Sequence, residues 1–281
     1  MSIRSRLHRV FRATEEENRQ ALLAALPRRC DGPLLDIGPH KGELTLAVAQ
    51  HVGATEVYGV ELIGDHIPAA REKGIHVVQG DVDDGIPYED GTFGFVFANQ
   101  VIEHVRRTDV FLREVRRVLK PNGIAMISTN NMASWHNIVS LALGFQPTPM
   151  HISDEIIVGN PLNPESGLPH EDLGRTHLRL FTTRALVELA AYHGLEAVHT
   201  ETVGYYPLPP KLARRIVKYD QRHGAFTVAV FKPTVPATGV HGLPADAAVS
   251  PLPLGVALKD EPAPTTVEMP AASPESDART A

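Results

Sequence analysis

From Pro33 onward, short apolar runs alternate with segments of helical period, which predicts a chain of strand and helix units. Pro33 to Gly42 reads as a strand, a tight turn and a helix N-terminus, with the helix over Glu43 to Gln50. Val57 to Glu61 reads as a second buried strand, the run from Ile75 into Gly80 and Asp81 as a third, and Thr92 to Asn99 as a fourth. A helix follows over Thr108 to Leu119, stopped at Lys120-Pro-Asn-Gly before a fifth strand, Ile124 to Thr129. Crossovers between such strands are right-handed, so the pattern predicts a parallel sheet with helices on both faces and ligands at the strands' carboxyl ends. Two helices are expected ahead of it. Met1 to Arg12 places Ile3, Leu7, Val10 and Phe11 on one face, with its arginines largely elsewhere. Glu15 to Leu26 would start behind Thr14 as N-cap, with Glu17 completing a capping box.

The alternation lapses over 131–175, which holds Trp135, Phe145, five prolines and clusters of Asn, Ser and Gly. This is too broken for a crossover and too apolar for a linker, and it is expected to be an ordered insertion over the site. The run from Trp135 to Gly144 reads as a helix whose indole and leucines would cover an apolar acceptor, the bland alternative being a loop that merely packs on the domain. Regular structure resumes with His177 to Thr182, a helix over Thr183 to His193 broken by Gly194, and strands over Leu195 to Val203 and Ala225 to Phe231. The short interval from Tyr205 to Gly224 suits a hairpin-like return. Beyond Lys232, Pro, Ala, Thr and Val dominate and aromatics vanish, so residues 233–281 are expected to be disordered.

Glycines in a strand-to-helix turn often serve only to let backbones pass. Here further anchors follow. Glu61 ends the second strand about twenty residues past the turn, the spacing at which a carboxylate accepts ribose hydroxyls, and Asp81 ends the third, where it would meet an adenine edge. A dinucleotide pyrophosphate needs close backbone approach at a G-x-G-x-x-G turn. This chain has Gly38-Pro-His-Lys-Gly42 beside the carboxylate of Asp36, which better suits a cationic, phosphate-free ligand such as S-adenosylmethionine.

The segments Leu35-Asp-Ile-Gly-Pro-His-Lys-Gly, Val60-Glu, Gly80-Asp, Ile86-Pro-Tyr-Glu-Asp-Gly-Thr-Phe-Gly-Phe-Val, Val101-Ile-Glu-His-Val and Leu112-Arg-Glu-Val-Arg-Arg-Val-Leu-Lys-Pro-Asn-Gly occur in an order that resembles the class I S-adenosylmethionine-dependent methyltransferases. The likeness is to the branch with ubiquinone and menaquinone biosynthesis enzymes and small-molecule, lipid and glycan methyltransferases. It implies an α/β, doubly wound, mostly parallel seven-stranded sheet with an antiparallel last strand. The domain would span 28–232, behind a helical cap at 1–27. It further implies that Asp36, Gly38 and Gly42 shape the methionine side of the pocket, that Glu61 holds the ribose, that Asp81 and Val82 flank the adenine, and that Asn99 and Gln100 line the methionine end. The family has a small residue and then glycine where this chain has Pro39 and His40.

With 281 residues, 43% of them hydrophobic, the chain can bury one sizeable core. A net charge of −6 gives no field for gripping a polyanion, so small-molecule, sugar or lipid acceptors are favoured over nucleic acid. The single Cys30 excludes an internal disulfide, and no apolar run suggests a leader or a membrane span, so a cytoplasmic setting is expected. The basic face of residues 1–12 would allow at most weak contact with a membrane surface.

Displacement at a sulfonium methyl disperses positive charge, so positioning supplies much of the acceleration, and a hydroxyl acceptor calls for a base near neutral pH. Of 14 histidines, His104, beside Glu103 just past the fourth strand, has the first claim as base or acceptor ligand. His177 is second, two residues before Arg179. His136 and His151 could face an acceptor from within the insertion. Sequence spacing assembles no metal site. A noncatalytic cofactor-binding protein and a nicotinamide-dependent oxidoreductase are the alternatives from other classes.

Overall fold

The computed structural model describes residues 3–169, 176–208, 210–216 and 219–234, with backbone alone at 3–8, 210, 211 and 214. In chain order the elements are α1 (Ile3–Ala25), β1 (Leu34–Ile37), α2 (Glu43–Val52), β2 (Val57–Glu61), α3 (Ile67–Glu72), β3 (His76–Gln79) and β4 (Phe93–Asn99). They continue with α4 (Thr108–Val118), β5 (Leu119–Asn130), α5 (Trp135–Ala142), α6 (Thr183–Tyr192), β6 (Leu195–Val203), α7 (Pro210–Ile216) and β7 (Phe226–Pro233). The strands form one seven-stranded sheet in the order β3-β2-β1-β4-β5-β7-β6. β1 to β5 pair in parallel, with Leu34 opposite Val57 on one side and Phe95 on the other. β7 runs antiparallel between β5 and β6, pairing Ser128 with Val228 and Thr202 with Thr227. The expected fold class is therefore present, its antiparallel strand inserted next to the sheet edge.

Burial on both faces explains why the inner strands read as continuous apolar runs. On one face Phe93, Phe111, Leu112, Val115 and Phe231 form a core under α4 and α6, and on the other Leu22, Val48, Phe95, Phe97 and Met126 form a second under α1 and α2. Phe93 and Phe95 would share a face in a regular strand. A register irregularity between them turns them into opposite cores and lets β4 feed both. α4 presents Phe111, Leu112, Val115 and Val118 as a fully buried stripe at helical spacing.

Three expectations are corrected. The two N-terminal helices are one: Thr14 lies inside α1, and its Oγ1 donates to the Val10 carbonyl at 2.9 Å instead of capping a new helix. Lys120-Pro-Asn-Gly does not separate a helix from a strand, because β5 already begins at Leu119, pairs there with Phe93 and resumes pairing at Ile124 with Phe95. The interval from Tyr205 to Gly224 is not a bare return, since α7 lies within it. From residue 235 the expected tail lies outside the described residues, as do 170–175 of the insertion and the side chains that would form the basic face of 3–8. No helix among the described residues is long and apolar enough to cross a membrane.

Candidate functional site

A cavity of about 640 Å³ opens at the carboxyl ends of β1, β2, β3 and β4. Each strand delivers a polar group to it: Asp36 from β1, Glu61 from β2, Asp81 just after β3 and Asn99 from β4. Parallel strands end together, so this convergence follows directly from the topology.

Asp36 is buried, and its Oδ2 accepts from Thr45 Oγ1 at 2.6 Å. Burial pushes its carboxyl up to about 8, against the Thr45 bond and with the like charge of Glu61 adding to the rise. Glu61 ties two loops together. Its Oε2 accepts from the His40 backbone N–H and its Oε1 from that of Ile63, both at 2.9 Å. The turn between β1 and α2 holds His40 at φ 52, unusual for a residue with a Cβ. The ring centroids of His40 and His66 lie 3.9 Å apart, and burial followed by His66 lowers the pKa of His40. Gly38 lines the cavity. Gly42 does not: at φ 86, a Cβ there would lie 2.5 Å from Ile75 Cδ1, so its place is set by packing of α2 on α3 and β3.

Asp81 accepts from the Asp83 N–H and pairs with Arg106 at 3.1 Å, while Asp83 takes the Arg106 Nε at 3.0 Å and the Arg107 N–H at 2.7 Å. Val82 lines the same wall. Asn99 Oδ1 is buried without a hydrogen-bond partner, an acceptor left for whatever fills the cavity. Gln100 has φ 56, and its amide is satisfied when the nitrogen donates to Glu103 Oε1 at 3.1 Å and the oxygen accepts from Ser128 Oγ at 3.1 Å.

Glu103 is fully buried in the 3-10 turn Ile102–His104, accepts from Thr129 Oγ1 at 2.9 Å, and is pushed up to about 7 by burial. Its backbone carbonyl accepts from the Leu178 and Arg179 amides at 2.7 and 3.0 Å, which docks the segment after the insertion against this turn. His104 lines the cavity, and burial lowers its pKa. Its Nδ1 meets the Thr176 carbonyl at 3.1 Å, and the Nδ1 of His177 meets that of Pro149 at 2.8 Å. A carbonyl only accepts, so both Nδ1 atoms carry a hydrogen, and in the neutral ring Nε2 then holds the lone pair. The His177 ring does not line the cavity although Thr176 and Leu178 do. It stacks on His151 at 4.5 Å and lies 4.8 Å from the His104 ring.

The helix of the insertion forms where expected, but its face is corrected. Trp135 Nε1 donates to Asp220 Oδ2 at 2.7 Å and its ring lies 4.5 Å from His223, so the indole serves the loop before β7 and does not cover the cavity. An indole N–H packed on one side needs an acceptor, and Asp220 supplies it. Leu141 and Leu143 are exposed. His136 packs edge-on to Tyr206 at 5.5 Å, away from the cavity, and burial pushes it down to about 4. The insertion reaches the cavity through Asp154. Asp154, Thr176 and Leu178, like Arg106 and His66, were not singled out from sequence; only Arg106, two residues past His104, carried a local signal. Nor was a metal cluster, yet donor atoms of Glu103, His104 and His177 all lie within 4.8 Å of one another.

Residues 35–127 match the methyltransferase domain family. A demethylmenaquinone methyltransferase of Staphylococcus aureus is 32% identical over 98 residues, covering 33% of this chain and 40% of that protein. The norajmaline N-methyltransferase of Rauvolfia serpentina is 33% identical over 125 residues, covering 41% and 42%. The chain thus spans about 40% of the length of these relatives. A crystal structure of a SAM-dependent methyltransferase from Thermotoga maritima superposes with a TM-score of 0.54 at 20% identity, covering 81% of this chain and 93% of that one. The resemblance to class I S-adenosylmethionine-dependent methyltransferases is borne out in the fold and, over 35–127, in the sequence.

Proposed function

We propose that the chain is an S-adenosylmethionine-dependent methyltransferase that transfers the methyl group to oxygen of a small-molecule acceptor, a sugar or lipid included, in the cytoplasm. The observation that carries the reading is the acidic wall of the cavity. Asp36, Glu61 and Asp81 face it together with the unpartnered Asn99 oxygen. Glu61, and Asp36 once an entering cation favours its ionised form, repel a pyrophosphate and attract a ligand bearing a sulfonium and an ammonium. In this reading Asp36, Asn99 and Gln100 hold the methionine end, Gly38 and Gly42 shape the turn beside it, Glu61 accepts the ribose hydroxyls, and Asp81 with Val82 flanks the adenine. His104 faces the acceptor, with His177 behind it, and the pair activates the acceptor oxygen. Transfer itself is an in-line displacement in which the chain's work is to orient both partners and exclude water.

Calorimetric titration with S-adenosylmethionine, S-adenosylhomocysteine and NAD tests the cofactor before any acceptor is known. Selective binding of the two sulfur ligands is expected, and labelled methyl donor then serves an acceptor screen over hydroxylated compounds. Binding of NAD alone would overturn the assignment, and cofactor binding with no turnover across that screen would favour a noncatalytic binding protein.

A further inference from the structure

We propose that Glu103, His104 and His177 form a binding site for a divalent transition-metal cation, zinc foremost, beside the cavity, which His104 alone of the three lines, and that this cation takes the acceptor's hydroxyl oxygen from the His104 side. The inference rests on the methyl-transfer reading for its role, but not for the existence of the site.

Three observations support it. The first is the donor set: two imidazoles and one carboxylate, with donor atoms within 4.8 Å of one another. Zinc bonds of about 2.0–2.2 Å place tetrahedral ligand atoms roughly 3.4 Å apart, so small side-chain rotations close the set. Two His and one Glu also leave coordination positions open, as catalytic rather than structural sites do. Imidazole selects zinc and its transition-metal neighbours over magnesium or calcium, which prefer all-oxygen cages.

The second observation is the support behind each ligand. Both imidazoles donate Nδ1–H to a backbone carbonyl, Thr176 for His104 and Pro149 for His177, the arrangement that leaves Nε2 as the nitrogen available to a metal. His151, stacked on His177 with ring planes 9° apart, holds that ring's orientation. The Glu103 carboxylate is held by Thr129 Oγ1 and Asn130 Nδ2.

The third is the surroundings. Glu103 is 0% exposed, and among the described residues neither lysine nor arginine pairs with its carboxylate, so a cation there meets no competing positive side chain.

The cation gives His104 and His177 a shared task. Bound through its oxygen, the acceptor hydroxyl loses its proton to water at neutral pH. An oxygen lone pair then forms the bond to the methyl carbon while the carbon–sulfur bond breaks. Its electrons go to sulfur, and the sulfonium leaves as a neutral thioether. The acceptor class is a hydroxylated molecule with an oxygen able to enter the open positions.

The test uses the full chain freed of metal by a chelator and titrated calorimetrically with Zn²⁺, then with Co²⁺ as a spectroscopic probe, and compares wild type with His177→Ala and Glu103→Gln. One Zn²⁺ per chain is expected, weakened about 100-fold or more in either variant. Co²⁺ should show the intense visible bands of a low-coordinate nitrogen and oxygen site in wild type only. Wild-type far-UV circular dichroism and a cooperative thermal transition certify that each variant is folded, and S-adenosylmethionine affinity should stay within about twofold in His177→Ala. No stoichiometric Zn²⁺ binding, or binding unchanged in both folded variants, would overturn the proposal. Zn²⁺ binding lost in the variants without any cofactor binding by wild type would leave the metal site standing and sink the methyl-transfer reading instead.

Discussion

The buried Asp36 carboxyl should make cofactor binding release a proton. Burial pushes this group up to about 8, so in the empty protein it is mostly neutral at pH 7. A ligand carrying positive charge into the cavity favours the ionised form. If it binds only that form, affinity scales with the ionised fraction, which rises about 30-fold between pH 5.5 and 7 for a pKa near 8. In that window the ligand's own α-amino group, with an ordinary pKa of about 7.7–8, stays largely charged. Calorimetry at pH 7 in two buffers of different ionisation enthalpy should report a net release of roughly 0.8 proton per ligand, about 0.9 from Asp36 less about 0.1–0.2 taken up by the ligand's amino group.

Another group beside Asp36 also titrates: His40 sits on a loop that Glu61 holds, and its protonation at low pH would also oppose a cation. Asp36→Asn separates the contributions, because an amide oxygen can still accept from Thr45 Oγ1. The variant should bind more weakly than wild type throughout the window, with the gap widening as pH rises and its proton release abolished. The same group has a stability signature. A carboxyl with a raised folded pKa binds its proton more tightly in the folded state, so wild-type stability is greatest below about pH 4 on this account. It declines by at most roughly 5–6 kcal/mol as pH rises to about 8, and is flat above. Asp36→Asn should remove that decline in denaturant midpoints. A wild-type affinity flat across the window without proton release, or a variant that keeps the wild-type slope, would refute the reasoning.

Glu61→Ala should weaken S-adenosylmethionine binding at least tenfold and cost about 2–4 kcal/mol of stability, because the His40 and Ile63 amides lose a charged acceptor; His104→Ala should instead spare cofactor affinity and lower turnover, which calorimetry beside a methyl-transfer assay distinguishes. Gly204→Ala places a Cβ 2.3 Å from Thr14 Cγ2 at φ 72, and should cost about 2–4 kcal/mol, read as a fall of roughly 5–10 °C in Tm. Adding Thr14→Ser, which keeps the hydroxyl and removes that methyl, should return the steric part. Arg117 donates to Glu114, Asp90 and the carbonyls of Ile86 and Tyr88, and Arg117→Ala should cost about 2–3 kcal/mol in chemical denaturation. Arg117→Lys should recover little of it, since an ammonium cannot span that fork of partners.

Much of the fold was legible because the signals were local. Val57–Glu61 and Leu195–Val203 were bounded to the residue, the latter because Gly194 stops α6 just before it. The failures share a cause: one residue type has two uses. Thr14 can cap a helix or bond back within one, and sequence does not say which. Pro-Asn-Gly ends most elements, yet in β5 it is carried through by an irregularity in pairing with β4. The helix over Trp135 was readable from its apolar period, but both faces of that helix carry apolar residues, and only Asp220, far along the chain, decides which way the indole turns.

The candidate site divides along the same line. Asp36, Glu61, Asp81 and Asn99 stand at strand ends, and parallel topology brings strand ends together whatever the details of the loops. His104 and His177 have no such guarantee. They meet because the Glu103 carbonyl binds the amides of Leu178 and Arg179 and because Thr176, 72 residues after His104, offers its carbonyl to that ring. The methyltransferase domain match ends at 127, whereas Asp154, Thr176 and Leu178 all enter the cavity from beyond it. The sequence match therefore takes in Glu103 and His104 but not Asp154, Thr176, His177 or Leu178. In the methyl-transfer reading, the acceptor is to be sought through what the chain beyond 127 brings against His104, not through the names of relatives.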